Sequence, residues 1–191
     1  MSLLLVILTP FIGAALIAGM PRQSRRYTAW ASGAVTLTAL GWLLPLTPKP
    51  FAGETVIQRF VWLPDAGLDL AFRLDGLGLL FVLLILCIGL LIILYARYYL
   101  SPNDGIGRFY AFLLLFMGSM LGVALSGNII QLLIFWELTS VSSFLLISYW
   151  WQRTEARNGA RMALAVTGFG GLALLGGFVL LGKIAGSYDL S

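Results

Sequence analysis

The sequence contains no histidine and a single cysteine, Cys87, set inside an apolar run. A disulfide framework within the chain is therefore excluded, and so are the Cys/His ligand sets from which zinc sites are built. Charge is scarce as well, since Asp, Glu, Lys and Arg make up 10% of the residues against 60% hydrophobic ones. A soluble domain could not wet its surface with so few charges, and the chain reads as an integral membrane protein with the lipid bilayer as its solvent. The formal net charge of +4 would suggest nucleic acid in a soluble protein. Here the basic residues fall in short loops between apolar runs, where membrane topology puts them, so no nucleic-acid partner is expected. With no nucleophile, metal cluster or phosphate-binding loop in view, soluble-type enzyme chemistry and a bound cofactor or metal are not expected either.

What the chain does contain is a series of long apolar runs. Leu3 to Met20 carries no Lys or Arg before it and is followed at once by Pro21, Arg22, Arg25 and Arg26. A secretory signal would carry its positive charge on the other side, so this run is expected to span the membrane with its N-terminus outside. Tyr27 to about Leu46 returns, with Tyr27, Trp30 and Trp42 suited to the headgroup zones. Further spans are expected from Leu77 to about Tyr95, capped by Asp75, from Phe109 to Leu125, from about Asn128 to Tyr149, and from about Met162 to Leu181. The Ser126-Gly127-Asn128 turn is so short that the fourth and fifth helices must be antiparallel neighbours. Gly168, Gly170, Gly171, Gly176 and Gly177 mark the sixth helix as one that another helix can approach closely. Arg22, Arg25, Arg26, Arg97, Arg108, Arg153, Arg157 and Arg161 fall on one side of this arrangement and Lys49, Arg59, Arg73 and Lys183 on the other, so the 12 basic residues divide eight to four. That bias predicts six spans with both termini of this piece outside a cell membrane.

One stretch is not membrane-like. Between Thr47 and Asp75 lie Pro48, Pro50, Pro64 and four acids, and Leu68, Leu70, Phe72 and Leu74 alternate with Asp69, Ala71, Arg73 and Asp75. A period of two preceded by Pro64-Asp65-Ala66-Gly67 predicts a small external β-hairpin with Thr55 to Trp62, whose apolar face lies on helix ends or on a neighbouring protein. The chain is accordingly expected to divide into residues 1–76, the first two spans with the hairpin, and residues 77–191, spans three to six.

The predicted fifth helix carries one carboxylate, Glu137, nine residues beyond Asn128. That is about 14 Å along the axis, near the middle of a hydrocarbon core of about 30 Å. A two-methylene stem cannot bring it to the interface. Placing an acid there costs roughly 2.5–3.5 kcal/mol on insertion scales, so it must face protein or water. At about 100° per residue, Ser140 and Ser148 share its side of the helix, and this partly polar stripe suits a chain of water along which the carboxylate takes and gives protons. Gln131, Thr139, Ser142 and Ser143 point elsewhere and suit interhelical hydrogen bonds. No Lys or Arg lies within the other spans to pair with Glu137.

The runs FRLDGLGLLFVLLILCIGLLIILYARYYLS (from Phe72), GRFYAFLLLFMGSMLGVALSGNIIQLLIFWELTSVSSFLLISYW (from Gly107) and ALAVTGFGGLALLGG (from Ala163) resemble the A-type subunit of the Mrp-type multisubunit Na⁺/H⁺ antiporter. More distantly they resemble the antiporter-like subunits of respiratory complex I. The likeness covers nearly the whole chain and is strongest from Phe72 onward, with RLDGL at a helix start and FWELTSVSSFLLI around the acid as its most specific features. It implies an all-α, polytopic, antiporter-like fold of about fourteen helices, built from two inverted five-helix repeats and surrounded by other subunits. It also implies that Glu137 is the fifth-helix glutamate of proton translocation, with a paired lysine on a seventh helix. This sequence departs from the pattern by stopping after the sixth helix, and at Gly127, where an acid is expected.

The expected role is therefore the N-terminal piece of a subunit in a monovalent cation/proton antiporter, a secondary transporter rather than an enzyme. Its expected partners are the other subunits of the complex, the helices beyond Ser191, protons and Na⁺. Two alternatives stand beside it: a membrane-arm subunit of a complex I-like NADH dehydrogenase or hydrogenase, and a scaffold that transports nothing.

Overall fold

The computed structural model describes residues 2–20, 25–63, 68–101 and 104–190. Pro21 and Arg22 of the expected basic loop, the expected hairpin turn at 64–67, Pro102, Asn103 and Ser191 lie outside the described residues. The elements run α1 (Leu3–Ala18), α2 (Arg25–Leu43), a single-turn α3 (Pro48–Phe51), β1 (Val56–Leu63), β2 (Leu68–Leu74), α4 (Gly76–Tyr99), α5 (Ile106–Leu125), α6 (Ile129–Ile147) and α7 (Thr154–Ala185). The fold is the expected bundle of apolar helices with one two-stranded antiparallel hairpin between the second and third long helices. Five helices are long and apolar enough to cross a membrane. The sixth, α1, has 16 residues, which at 1.5 Å each is about 24 Å, short of a core of about 30 Å.

Three of the helix starts have a side-chain partner. Asp75 caps α4 as expected, its Oδ1 accepting from the Gly78 amide at 2.7 Å. Asn128 caps α6 by accepting from the Ile130 and Gln131 amides at 2.9 and 3.3 Å. At α1 the free Leu3 amide donates to Gln58 Oε1 of β1 at 2.8 Å, which ties the hairpin to the start of the bundle. At its far end α7 stops on Gly186 with φ +69°, a left-handed position open to glycine.

The core sits between α1, α2, α4 and α5. Leu3, Val6, Ile7 and Ile17 of α1 and Leu114, Leu121 and Leu125 of α5 are fully buried against one another and their neighbours. Hydroxyls are admitted to this core because the helix itself satisfies them: Ser32 donates to the Thr28 carbonyl at 2.8 Å and Thr36 to the Ser32 carbonyl at 3.0 Å. Tyr110, also fully buried, spends its hydroxyl on the Ile93 carbonyl of α4 at 3.1 Å. Between α5 and α6 the contact depends on Gly122, where any Cβ would run into the Phe135 ring. Around this core the outer faces of the helices are apolar, as lipid requires; Phe169, Leu172 and Ile184 of α7 are examples.

The hairpin pairs Val56 with Leu74 through Phe60 with Leu70, with an irregularity before Leu63 opposite Leu68. Of its expected apolar face, Phe72 and Leu74 are buried and Leu70 is half-buried, while the side chain of Leu68 lies outside the described residues. Ala71, on the opposite face, is buried too. Its carbonyl accepts from the Gly127 amide at 2.7 Å, and Phe72 bridges to Ser126, so the α5–α6 turn seals the second face. A side chain at Gly127 would press on Ala71, which gives a physical reason for glycine at this turn.

Past α7 the chain turns back on the bundle. The Ile129 amide donates to the Tyr188 carbonyl at 2.9 Å and the Leu190 amide to the Gly127 carbonyl at 2.8 Å. Asp189 forms an ion pair with Arg59 of β1 at 2.9 Å, and Arg73 of β2 donates to the Leu190 carbonyl at 2.7 Å. The hairpin, the α5–α6 turn and the tail thus form one hydrogen-bonded cap. At the opposite end Arg97 stacks over Trp30, Arg108 donates to the Tyr149 carbonyl at 2.6 Å, and Arg153 stacks over Trp150.

The expected last helix begins at Met162, but α7 begins at Thr154, eight residues earlier. Glu155, Arg157, Asn158 and Arg161 are compatible with a helix although not with hydrocarbon. Hydropathy marks where a membrane segment starts, and the hydrogen-bonded helix extends past it into water.

Candidate functional site

The candidate site lies where α6 and α7 pack antiparallel, joined by the short segment that includes the 3-10 turn Ser148–Trp150. The predicted fifth helix is α6, and Glu137 sits in its middle, half-buried on the side that meets α7. Its Oε1 is buried and has no hydrogen-bond partner. Among the described residues no hydrogen bond or ion pair reaches this carboxyl. The two ion pairs formed there, Arg59–Asp189 and Arg73–Asp75, belong to the hairpin end.

Gly171 of α7 faces the acid. A Cβ built on Gly171 would collide with Glu137 Oε1, so the carboxyl occupies the volume that a side chain would need. Gly168, Gly170, Gly176 and Gly177, grouped with it in the sequence, meet nothing within 4 Å at that position. Gly171 alone among the five takes the acid. Nothing in the sequence separates it from the other four; the packing of α7 on α6 does.

Ser140 is buried and donates to the Trp136 carbonyl at 3.3 Å. Ser148 is half-buried and donates to the Leu145 carbonyl at 3.3 Å, at the point where α6 tightens into the 3-10 turn. Both hydroxyls therefore use their proton on their own helix, and their oxygens keep acceptor capacity. Neither is bonded to Glu137. The other polar set differs from the expectation of interhelical bonds. Thr139 and Ser142 bond back to the Trp136 and Leu138 carbonyls at 2.6 and 2.7 Å, because a short hydroxyl reaches its own preceding turn more readily than a neighbouring helix. Gln131 reaches a strand instead, accepting from the Ala71 amide at 2.9 Å. Among the described residues no group of three potential metal ligands occurs. An apolar cavity of about 540 Å³ opens between α4 and α5, lined by residues such as Phe81, Ile88, Phe109 and Met117, and it carries no titratable group.

Two family models match the chain. Residues 62–110 match "NADH-Ubiquinone oxidoreductase (complex I), chain 5 N-terminus", and residues 126–191 match "NADH:quinone oxidoreductase/Mrp antiporter, TM", a segment that contains both Glu137 and Gly171. A probable K⁺/H⁺ antiporter A/B-type subunit of Rhizobium meliloti (strain 1021) is 48% identical over 184 residues, 96% of this chain and 18% of that protein. The A1-type subunit of a Na⁺/H⁺ antiporter of Staphylococcus aureus is 45% identical over 192 residues, covering all of this chain and 24% of that protein. Among solved structures, the Mrp complex from Dietzia sp. DQ12-45-1b superposes with a TM-score of 0.81 at 28% identity, over 99% of this chain and 20% of the chain matched. The membrane-bound sulfane sulfur reductase, an archaeal respiratory membrane complex, shares the fold with a TM-score of 0.79 at 22% identity, over 97% of this chain and 28% of the chain matched. Fold and matches together describe a multi-pass membrane protein with an antiporter-like fold. The chain is similar to part of the A-type subunits of multisubunit cation/proton antiporters, and it spans about a fifth to a quarter of those relatives' length.

Proposed function

We propose that this chain acts as the N-terminal part of a subunit in a multisubunit monovalent cation/proton antiporter, with Glu137 as an intramembrane proton-relay carboxylate. The observation that carries the proposal is Glu137 Oε1, buried in the middle of a membrane-length helix without a hydrogen-bond partner. An acid in such a place is costly to insert, by roughly 2.5–3.5 kcal/mol, and is retained where a proton or ion path uses it. Ser140 and Ser148, whose oxygens keep free lone pairs, form the polar stripe that water would follow from Glu137 towards the arginine-bearing end of the bundle. On the positive-inside bias that end faces the cytoplasm and both termini of this piece face outside. Residues 1–76 then act as scaffold and external cap, and residues 77–191 contain the start of the first inverted repeat. A secondary transporter is the reading, with the remaining helices of the same polypeptide, the other subunits of the complex, protons and Na⁺ or another monovalent cation as its partners.

The test is Glu137→Gln in the complete complex, assayed for cation-driven proton movement in vesicles. Loss of most antiport with normal assembly is the expected result; unimpaired antiport overturns the relay. A second reading, a membrane-arm subunit of a complex I-like oxidoreductase, is favoured by the family description over residues 62–110. It predicts co-purification with redox subunits, whereas the 45–48% identity to antiporter subunits favours the first.

A further inference from the structure

We infer that Gly171 is a positioning residue for Glu137, its missing side chain holding the carboxyl in one orientation against α7. The inference rests on the proton-relay reading and extends it to a residue on a second helix.

Three observations carry it. Gly171 is one of few buried positions on α7; of the other glycines of that helix, those at 159, 168, 170, 176 and 177 have open space where a Cβ would stand, and Gly182 packs on the Tyr188 ring, away from the acid. The group that fills the space at Gly171 is the functional atom itself, Glu137 Oε1. That oxygen has no hydrogen-bond donor to hold it. Its direction is therefore set by shape, and at α7 it meets the Cα–H side of Gly171, a weak contact. Glycine in a helix interior is disfavoured relative to alanine, so local propensity alone argues against glycine at this position. A methyl group at 171 leaves the acid two options: to rotate away from α7, or to push α6 and α7 apart.

Shortening the acid should undo the effect of lengthening the glycine. The experiment is a double-mutant cycle in the complete antiporter complex, with Gly171→Ala made in the native and in the Glu137→Asp background. Antiport in vesicles is normalised to assembled complex. Gly171→Ala is expected to lower antiport about tenfold in the native background and at most about twofold beside Glu137→Asp, a coupling typical of residues in contact. If the methyl group instead impairs assembly, Glu137→Asp should restore it. Equal losses in both backgrounds, in rate or in assembly, overturn the positioning role. A second measurement reads the contact directly: the infrared carboxyl band identified by its disappearance in Glu137→Gln should shift in Gly171→Ala, and an unshifted band overturns the inference. Full transport by Glu137→Gln overturns the relay reading and the positioning role with it. Loss of transport in that variant with no coupling in the cycle overturns the positioning role alone.

Discussion

Gln131 Oε1, in the first turn of α6, accepts a hydrogen bond from the buried backbone amide of Ala71 in β2 at 2.9 Å. Beside the backbone bond from Gly127 to the Ala71 carbonyl, this side-chain bond fixes α6 itself to one strand position, six residues before Glu137.

Removing that acceptor leaves the Ala71 amide buried without a partner, which costs about 1–3 kcal/mol. Gln131→Leu in the complete complex should lower thermal stability and speed deuterium uptake across residues 68–74. Gln131→Glu keeps an acceptor and should be milder. Unchanged uptake in the Leu variant would mean that the hairpin is held without this bond.

Asp75 serves two partners, the Gly78 amide at 2.7 Å and Arg73 at 3.2 Å. Asp75→Ala should cost about 0.5–2 kcal/mol through loss of the cap. Asp75→Asn keeps the cap and loses the charge, and it should retain most of the stability because the pair with Arg73 is about a third exposed. Thermal unfolding of the two variants side by side separates cap from charge.

Close packing at Gly122 leaves no room for a Cβ beside Phe135. Gly122→Ala should destabilise the α5–α6 contact by about 1–3 kcal/mol, as overpacking does. Phe135→Leu should recover part of the loss. Additive losses in the pair would show that the two positions do not share the strain.

Arg59 and Asp189 pair at 2.9 Å, but Arg59 is about half exposed, with side-chain exposures of 47% and 24% for the two. Arg59→Ala should therefore cost no more than about 1 kcal/mol, and less at high salt. The tail should stay docked, because the Tyr188 carbonyl and the Leu190 amide bind backbone groups of Ile129 and Gly127. Limited proteolysis at residues 186–190 reads the result; rapid cleavage in the variant would assign the docking to the ion pair instead.

Much of the architecture is legible in the sequence because a membrane simplifies the problem. Apolar runs of the right length name the helices, and the alternation from Leu68 to Leu74 names the strand. Asp75 names a cap. Glu137 stands out because nothing else in its helix is charged. What the sequence does not show are relationships across distance. Ala71 reads as the solvent side of a two-faced strand, and only the return of the α5–α6 turn buries it. Thr139 and Ser142 read as glue between helices, whereas a hydroxyl is satisfied more cheaply by the turn beneath it. Gly171 is one of seven glycines in a single helix, and hydropathy gives no reason to choose it. Only the packing of α7 against α6 singles it out.

The return of the tail to the start of α6 has a mechanical consequence. α6 and α7 are fastened at both ends, by their covalent connection at one and by the Tyr188 to Ile129 and Leu190 to Gly127 bonds at the other. They make a closed frame, with Glu137 and Gly171 facing each other near the middle of its long sides. Such a frame resists splaying and transmits a tilt as a whole, so motion of α7 reaches Asn128 and the strand held by Gln131 together. The hairpin then works as the handle of that frame, at the end of the bundle away from Arg97, Arg108 and Arg153.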